Sequence, residues 1–427
     1  MRKQILLGIA CLISSYAFAQ KTFIHAGRLI DVKEMRVLTE QTIIVEDGKI
    51  TSVTKGYQSP GSSDQAIDLK NATVLPGLMD MHVHIEGETS PTRYIDGFRD
   101  NEADVAFKSV PLAERTLMAG FTTVRDLGGS GVNIALRDAI AAGRVKGPRI
   151  FTAGKAISPT GGHADPTNGM KRDLMEDPGA VWGVINGPYE ARKAVRQMVK
   201  YGADVIKVTA TGGVLSVARD GSAPQFQLDE MEAVVQTAKD FGIHVAAHAH
   251  GDEGMQRAVK AGVYSIEHGT LMSEATMKLM KEKGTWYVPT ITAGMSAAAF
   301  AEIPGYYPPV VAEKARRIGA QIQDTFGKAY KSGVKIAFGS DAGVYPHGEN
   351  YREFVYMVEA GMPALEALKS ATLTNAVFMK IEDKLGSIET GKIADIIAVK
   401  GNPDQDISVM KNVVFVMKEG KVYKAEL

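Results

Sequence analysis

The sequence predicts an α/β protein: a (β/α)8 TIM-like barrel joined to a small β-sandwich domain built from both termini. Three observations predict it. The middle of the chain alternates eight apolar runs with amphipathic helical stretches. Both ends carry short strands of alternating polarity instead. Unusual polar residues gather at the C-terminal ends of several of these runs, which is where a parallel barrel carries its chemistry.

The opening "MRKQILLGIACLISSYAFAQ" reads as a signal peptide over residues 1–19. It has a basic start, an apolar stretch and Ala17-Phe18-Ala19 before a cut after Ala19. The expected destination is the periplasm or the medium. A lipoprotein anchor at Cys11 is the rival, but Gly8 stands where a leucine would be wanted. Cleavage removes Cys11, the only cysteine, so any metal must be held by histidine and carboxylate. It leaves 47 basic against 49 acidic residues, and the whole chain carries 49 of each. No basic excess suggests nucleic acid, and no later apolar run reaches membrane-spanning length.

Residues 20–75 ("TFIHAGRLIDV", "RVLTEQTIIVEDGKITSV", "QAIDLKNATVL") and 381–427 ("DIIAVKG", "NVVFVMKEGKVYKAEL") supply the two parts of the sandwich. Asp47-Gly48 marks a hairpin. The barrel occupies residues 76–380. Its expected strands are "GLMDMHVH" (77–84), "TTVRDLGG" (122–129), "RIFTAG" (149–154) and "DVIKVTATGG" (204–213), then "HVAAHAHG" (244–251), "YSIEHG" (264–269), "WYVPTI" (286–291) and "KIAFGSDAG" (335–343). "YEARKAVRQMVKYG" and "LDEMEAVVQTAKDFG" are typical of the helices between them. An open doubly wound sheet is the alternative, but "DLGGSG" lacks dinucleotide-binding spacing and there is no P-loop.

His82 and His84 share one face of the first strand, and a metal ion is the common partner that would justify two adjacent imidazoles. A solvated loop mouth is the plainer explanation for the pair alone. His248 and His250 end the fifth strand, His268 the sixth and Asp341 the eighth. A purely structural role would scatter histidines, as with His25. Lys207 interrupts an apolar run and by parity points inward with Val205 and Thr209. Burial would lower its pKa and leave a nucleophilic amine, open to a Schiff base or to a carbamate formed with carbon dioxide. Beside four histidines and an aspartate the carbamate fits better; a lysine snorkelling to solvent is the structural alternative.

Taken in order, "PGLMDMHVH", the lone lysine of "VIKVTATGG", "HVAAHAHG", "SIEHGT" and "FGSDAG" resemble the amidohydrolase superfamily. More narrowly the chain is similar to the imidazolonepropionase-related branch, which holds secreted metal-dependent dipeptidases and carboxypeptidases of the Xaa-Pro and Xaa-Arg/Lys type. The resemblance covers nearly all of the mature chain. It implies two divalent metal ions, usually Zn2+. His82, His84 and Asp341 would hold one, His248 and His268 the other, with N6-carboxylated Lys207 and a hydroxide bridging them. His248 and His250 share strand parity; the resemblance favours His248 and leaves His250 to the substrate. Imidazolonepropionase uses one metal and lacks the lysine, so Lys207 argues against that activity.

Asp341 is the expected proton shuttle. His163, in "SPTGGHAD" after the third strand, is the expected oxyanion donor, and the resembling dipeptidases have a histidine in this place. Arg219 and Tyr345 lie on the expected rim as substrate residues, though each is by type more often a plain loop residue. His347 and His244 read as structural. The expected activity is hydrolysis of the amide bond of a dipeptide or N-acyl amino acid by an exported homo-oligomer with no nucleic-acid partner and no membrane span. Rivals are hydrolysis of another amide, ester, lactam or phosphotriester, an N-acylated aromatic toxin included, and a non-catalytic periplasmic binding protein.

Overall fold

The computed structural model describes residues 20–319 and 321–426. The expected signal peptide, with Cys11, lies outside the described residues. At the N-terminal end, Thr22–Asp31 pairs antiparallel with Arg36–Glu46 and parallel with Gln65–Pro76. Asp47 and Gly48, both at positive φ, close the two-residue hairpin into Lys49–Lys55. From the other end of the chain, Ile396–Val399 pairs with Gln65–Pro76 and with Val413–Lys418. Both ends therefore contribute to one seven-stranded sheet. It buries its own cluster, including Ile24, Ile43, Leu69 and Phe415.

Gly77 passes the chain directly from that sheet into Leu78–Val83. A side chain there would meet Thr122 Oγ1 at 2.3 Å, so only glycine allows this junction. Arg149 fastens the two parts with ion pairs to Asp395 (2.9 Å) and Glu419 (2.6 Å).

The middle of the chain is α/β with parallel sheets. One contains Leu78–Val83, Phe121–Asp126 and Arg149–Thr152; the other contains Ile206–Thr209, Val245–Ala249, Ser265–His268 and Trp286–Val288. Backbone hydrogen bonds join them. Asp204 N–H donates to Thr152 O (2.8 Å) and Ile157 N–H to Lys207 O (2.7 Å). On the far side Tyr287 N–H donates to Lys335 O, Met81 N–H to Phe338 O and Asp341 N–H to His82 O. Parallel pairing thus returns to its first member, consistent with a TIM-like barrel.

The eighth run holds two isolated bridges rather than the continuous strand expected over 335–343. Asp341 stands at φ +59°, outside the extended region, and breaks the ladder. The helices Pro188–Tyr201 and Leu228–Asp240 form where their periodicity places them, with Pro188 in the first turn and Gly202 as a left-handed cap. No helix among the described residues is long and apolar enough to cross a membrane.

Candidate active site

The C-terminal ends of the parallel strands open into a cavity of about 1180 Å³. Its floor carries His84, Lys207, His248, His250, His268 and Asp341. His82 lies just beneath, fully buried. His82 Nε2 and His84 Nε2 stand 3.6 and 3.5 Å from Asp341 Oδ1, and Lys207 Nζ stands 3.4 Å from His82 Nε2. His82, His268 and Asp341 each offer a ligand atom within 4.8 Å of the others.

Tautomers follow from the partners. His82 Nδ1–H donates to Glu267 Oε2 (2.9 Å) and His84 Nδ1–H to Gly128 O (2.7 Å), which leaves both Nε2 lone pairs facing Asp341. His248 Nε2–H donates to Gly212 O (3.2 Å), so its free nitrogen is Nδ1. His268 Nδ1 lies 2.7 Å from Thr290 Oγ1, and His250 Nδ1 2.9 Å from Thr270 Oγ1.

Burial first, then the Lys207 charge, holds the His82 and His84 imidazoles neutral, His84 down to about 3. Burial likewise drives His248 and His268 well below the usual range. Burial lowers the Lys207 pKa and raises that of Asp341. Asp341 Oδ1 is buried with no hydrogen-bond partner. Neutral imidazoles converging on an orphaned carboxylate oxygen form a donor set that fits a divalent cation.

The backbone is specialised here too. His268, Thr290 and Asp341, each next to a strand end at the floor, adopt φ of +72°, +52° and +59°. Non-glycine residues enter this region at a cost that the surrounding packing must hold in place.

Several supporting residues were not anticipated. Arg125 pairs with Glu267 (2.8 Å) in a fully buried bridge, and the same carboxylate holds His82. Loss of either partner of such a pair costs about 3–5 kcal/mol. Asp80 accepts from the His82 N–H (3.1 Å), the Ser340 N–H (3.0 Å) and Asn350 Nδ2 (2.8 Å), tying the first strand to the segment that carries Asp341. Ionisable residues inside apolar runs were the signal that singled out Lys207, and the same signal marks Asp80, Arg125 and Glu267. Lys314 had no such signal. Its ammonium donates to Gly213 O, Ser216 O and Ala218 O (2.6–2.8 Å) and pins the loop after the Lys207 strand.

His163 reaches the cavity with its ring 4.4 Å from that of His248, and its Nδ1 is buried without a partner. Gly213 packs flat against it; a Cβ there would fall 2.1 Å from His163 Cε1. Two expected substrate residues do not line the cavity. Tyr345 is fully buried, because an aromatic ring next to the core gains more from packing than from the rim. Arg219 points to solvent from a loop folded on itself, where Asp220 accepts from the Ser222 and Ala223 N–H groups. His347 bridges Thr116 to the His84 and Gly87 carbonyls, and His244 lies against Arg125, both structural placements.

The amidohydrolase family matches residues 73–423. Ochratoxinase of Aspergillus niger is 33% identical over 438 residues, covering 96% of this chain and 88% of that protein. A Xaa-Pro dipeptidase with methionine bound in its active site superposes with a TM-score of 0.93 at 54% identity, over 95% of this chain and 100% of that one. A prolidase complexed with N-methylphosphonate-L-proline gives 0.87 at 34% identity, over 95% and 100%. With the motifs in order and their side chains gathered on one floor, the chain belongs to the amidohydrolase family.

Proposed function

We propose that this chain is an exported, metal-dependent hydrolase of the amide bond in dipeptides, working on a (β/α)8 barrel over residues 76–380. Residues 20–75 and 381–427 would form the β-sandwich domain, residues 1–19 the signal peptide, and the working unit would be a homo-oligomer. The observation that carries the reading is the meeting of His82 Nε2, His84 Nε2, orphaned Asp341 Oδ1 and Lys207 Nζ on the floor of one cavity. The 54% identity to a Xaa-Pro dipeptidase supports proline as the C-terminal residue.

His82, His84 and Asp341 would hold one divalent ion, zinc by the family resemblance, and His248 Nδ1 with His268 a second. Lys207, carboxylated by carbon dioxide, would join the two. Such ions, when bound, supply an activated water and polarise the scissile carbonyl. The chain's own groups do the rest. Asp341 takes a proton from the attacking water and delivers it to the leaving amine nitrogen. His163, a neutral imidazole, donates to the carbonyl oxygen as negative charge builds there. His250 bounds the substrate on the same floor. The apolar wall, with Val214, Leu215 and Ile318, packs the substrate's side chains and limits water.

Gly213→Ala tests the His163 role without touching that residue. Gly213 is not at positive φ, so the expected effect is displacement of the His163 ring rather than backbone strain. Loss of one oxyanion donor costs about 10²–10³-fold in kcat, and the melting temperature should stay close to wild type. An unchanged kcat would remove His163 from the reaction.

A second reading has its own support. The cavity of about 1180 Å³ exceeds what a dipeptide needs, and ochratoxinase is 33% identical. An N-acylated aromatic amino acid would fill it better. Mature protein reconstituted with zinc and bicarbonate should be assayed on dipeptides ending in Pro, Arg, Lys, Leu and Phe, with N-acyl amino acids alongside. Turnover concentrated on Xaa-Pro substrates is expected. Turnover of the N-acyl aromatic compounds alone would replace the first reading with the second. Bound metal without turnover on any of them would discard both.

A further inference from the structure

The floor of the cavity accounts for cleavage but offers no cation to the substrate's free carboxylate. Arg219 and Tyr345 lie outside it. A carboxylate leaving water for a partly desolvated cavity needs a cation or several donors to meet it. Four cationic side chains line the cavity among the described residues: Arg93, Lys108, Lys155 and Lys207. Three are engaged. Lys207 stands beside His82 on the floor. Lys108 is paired with Asp100 at 2.5 Å. Lys155 sits 3.4 Å above the centre of the Trp182 ring.

Arg93 is different. No ion pair or side-chain hydrogen bond holds its guanidinium among the described residues, although carboxylates are close in sequence. Asp96 accepts from Thr92 Oγ1 (2.9 Å), and Glu88 serves Arg115 and the His347 N–H. Its charge is a minor cause, behind burial, holding down the pKa values of His84 and His163, and it works against burial at Asp341. The segment that carries it is tethered to the facing wall, with Tyr94 Oη donating to Leu215 O (2.8 Å) and Thr89 Oγ1 lying 2.9 Å from Tyr306 Oη. An unpaired guanidinium on a tethered support, exposed at the mouth of the cavity it lines, is a fork available to a planar anion.

We infer that Arg93 binds the free α-carboxylate of the substrate's C-terminal residue and so restricts the enzyme to the last peptide bond of a chain. The inference rests on the dipeptidase reading above and names the residue that reads the carboxylate. Arg93 is a binding residue for the substrate, not part of the proton path.

The test compares methionyl-proline with methionyl-prolinamide on wild type, Arg93→Ala and Arg93→Lys. Wild type should prefer the free acid. Arg93→Ala should lower kcat/KM for the acid by about 10- to 100-fold, chiefly through KM. It should leave the amide within about threefold, since the amide never used the contact. Arg93→Lys should recover part of the loss, because it restores charge without the fork. Calorimetry with L-proline and L-prolinamide gives a readout independent of turnover, and proline alone should lose affinity in Arg93→Ala. An acid-over-amide preference that survives Arg93→Ala would overturn the role of Arg93 and leave the dipeptidase reading standing. Arg93-dependent binding of proline without cleavage of any dipeptide would do the reverse. If wild type binds neither proline nor methionyl-proline, both fail.

Discussion

Lys207→Ala is expected to abolish hydrolysis, lowering kcat by about 10³-fold or more, which is some 4 kcal/mol of barrier. The protein should remain folded by circular dichroism, because an alanine in Ile206–Thr209 keeps the strand. Metal content should fall with activity. The reason lies in the placement of the amine, buried on the strand Ile206–Thr209 and 3.4 Å from His82 Nε2. Burial lowers its pKa, so the neutral amine that combines with carbon dioxide is accessible near neutral pH and becomes more abundant as pH rises. Metal uptake by stripped protein should therefore improve with rising pH and with added bicarbonate. The carbamate can be sought by 13C NMR after exposure to 13C-bicarbonate. Short carboxylic acids should restore part of the lost turnover, which a Schiff-base lysine would not allow. Full metal content and activity in Lys207→Ala would end the two-metal reading.

Asp341→Asn is the second large effect, again about 10³-fold in kcat. Asparagine matches aspartate in shape and tolerates the left-handed backbone at φ +59°, so this substitution isolates the charge. The lost functions are proton transfer and one anionic ligand. Wild-type activity should fall on the acid side as the carboxylate takes up a proton. In Asp341→Asn that acid limb should vanish from the residual rate, because the group that titrates is gone. Retention of more than about a tenth of kcat, with the acid limb unchanged, would assign the proton path to another group. His163 would then be the first to examine.

Much of this site was legible in the sequence because its residues violate the local rule of their surroundings. Histidines paired at a strand end, and a lysine inside "VIKVTATGG", make little sense as core and good sense as ligands. Period-two and period-3.6 patterns placed the strands and the helices, whereas the close approaches at Gly77 and Gly213 show only in the folded chain. Asp80, Arg125 and Glu267 obeyed the same signal, yet their meaning depends on partners remote in the chain. Glu267 is useful only because folding brings it 2.9 Å from His82, 185 residues away.

The rim was the part that sequence reading misplaced. Arg219 and Tyr345 were reasonable by position after a strand, but a loop's path is set by its own turns and by burial, neither of which has a period. Tyr345 turned into the core and Arg219 out to solvent, while Arg93, in "PTRYIDGF", lines the cavity from an exposed position. Strand chemistry follows from alternation along the chain, a local property. Which side chains share a cavity follows from closure of distant segments, and a linear chain carries no local mark of that.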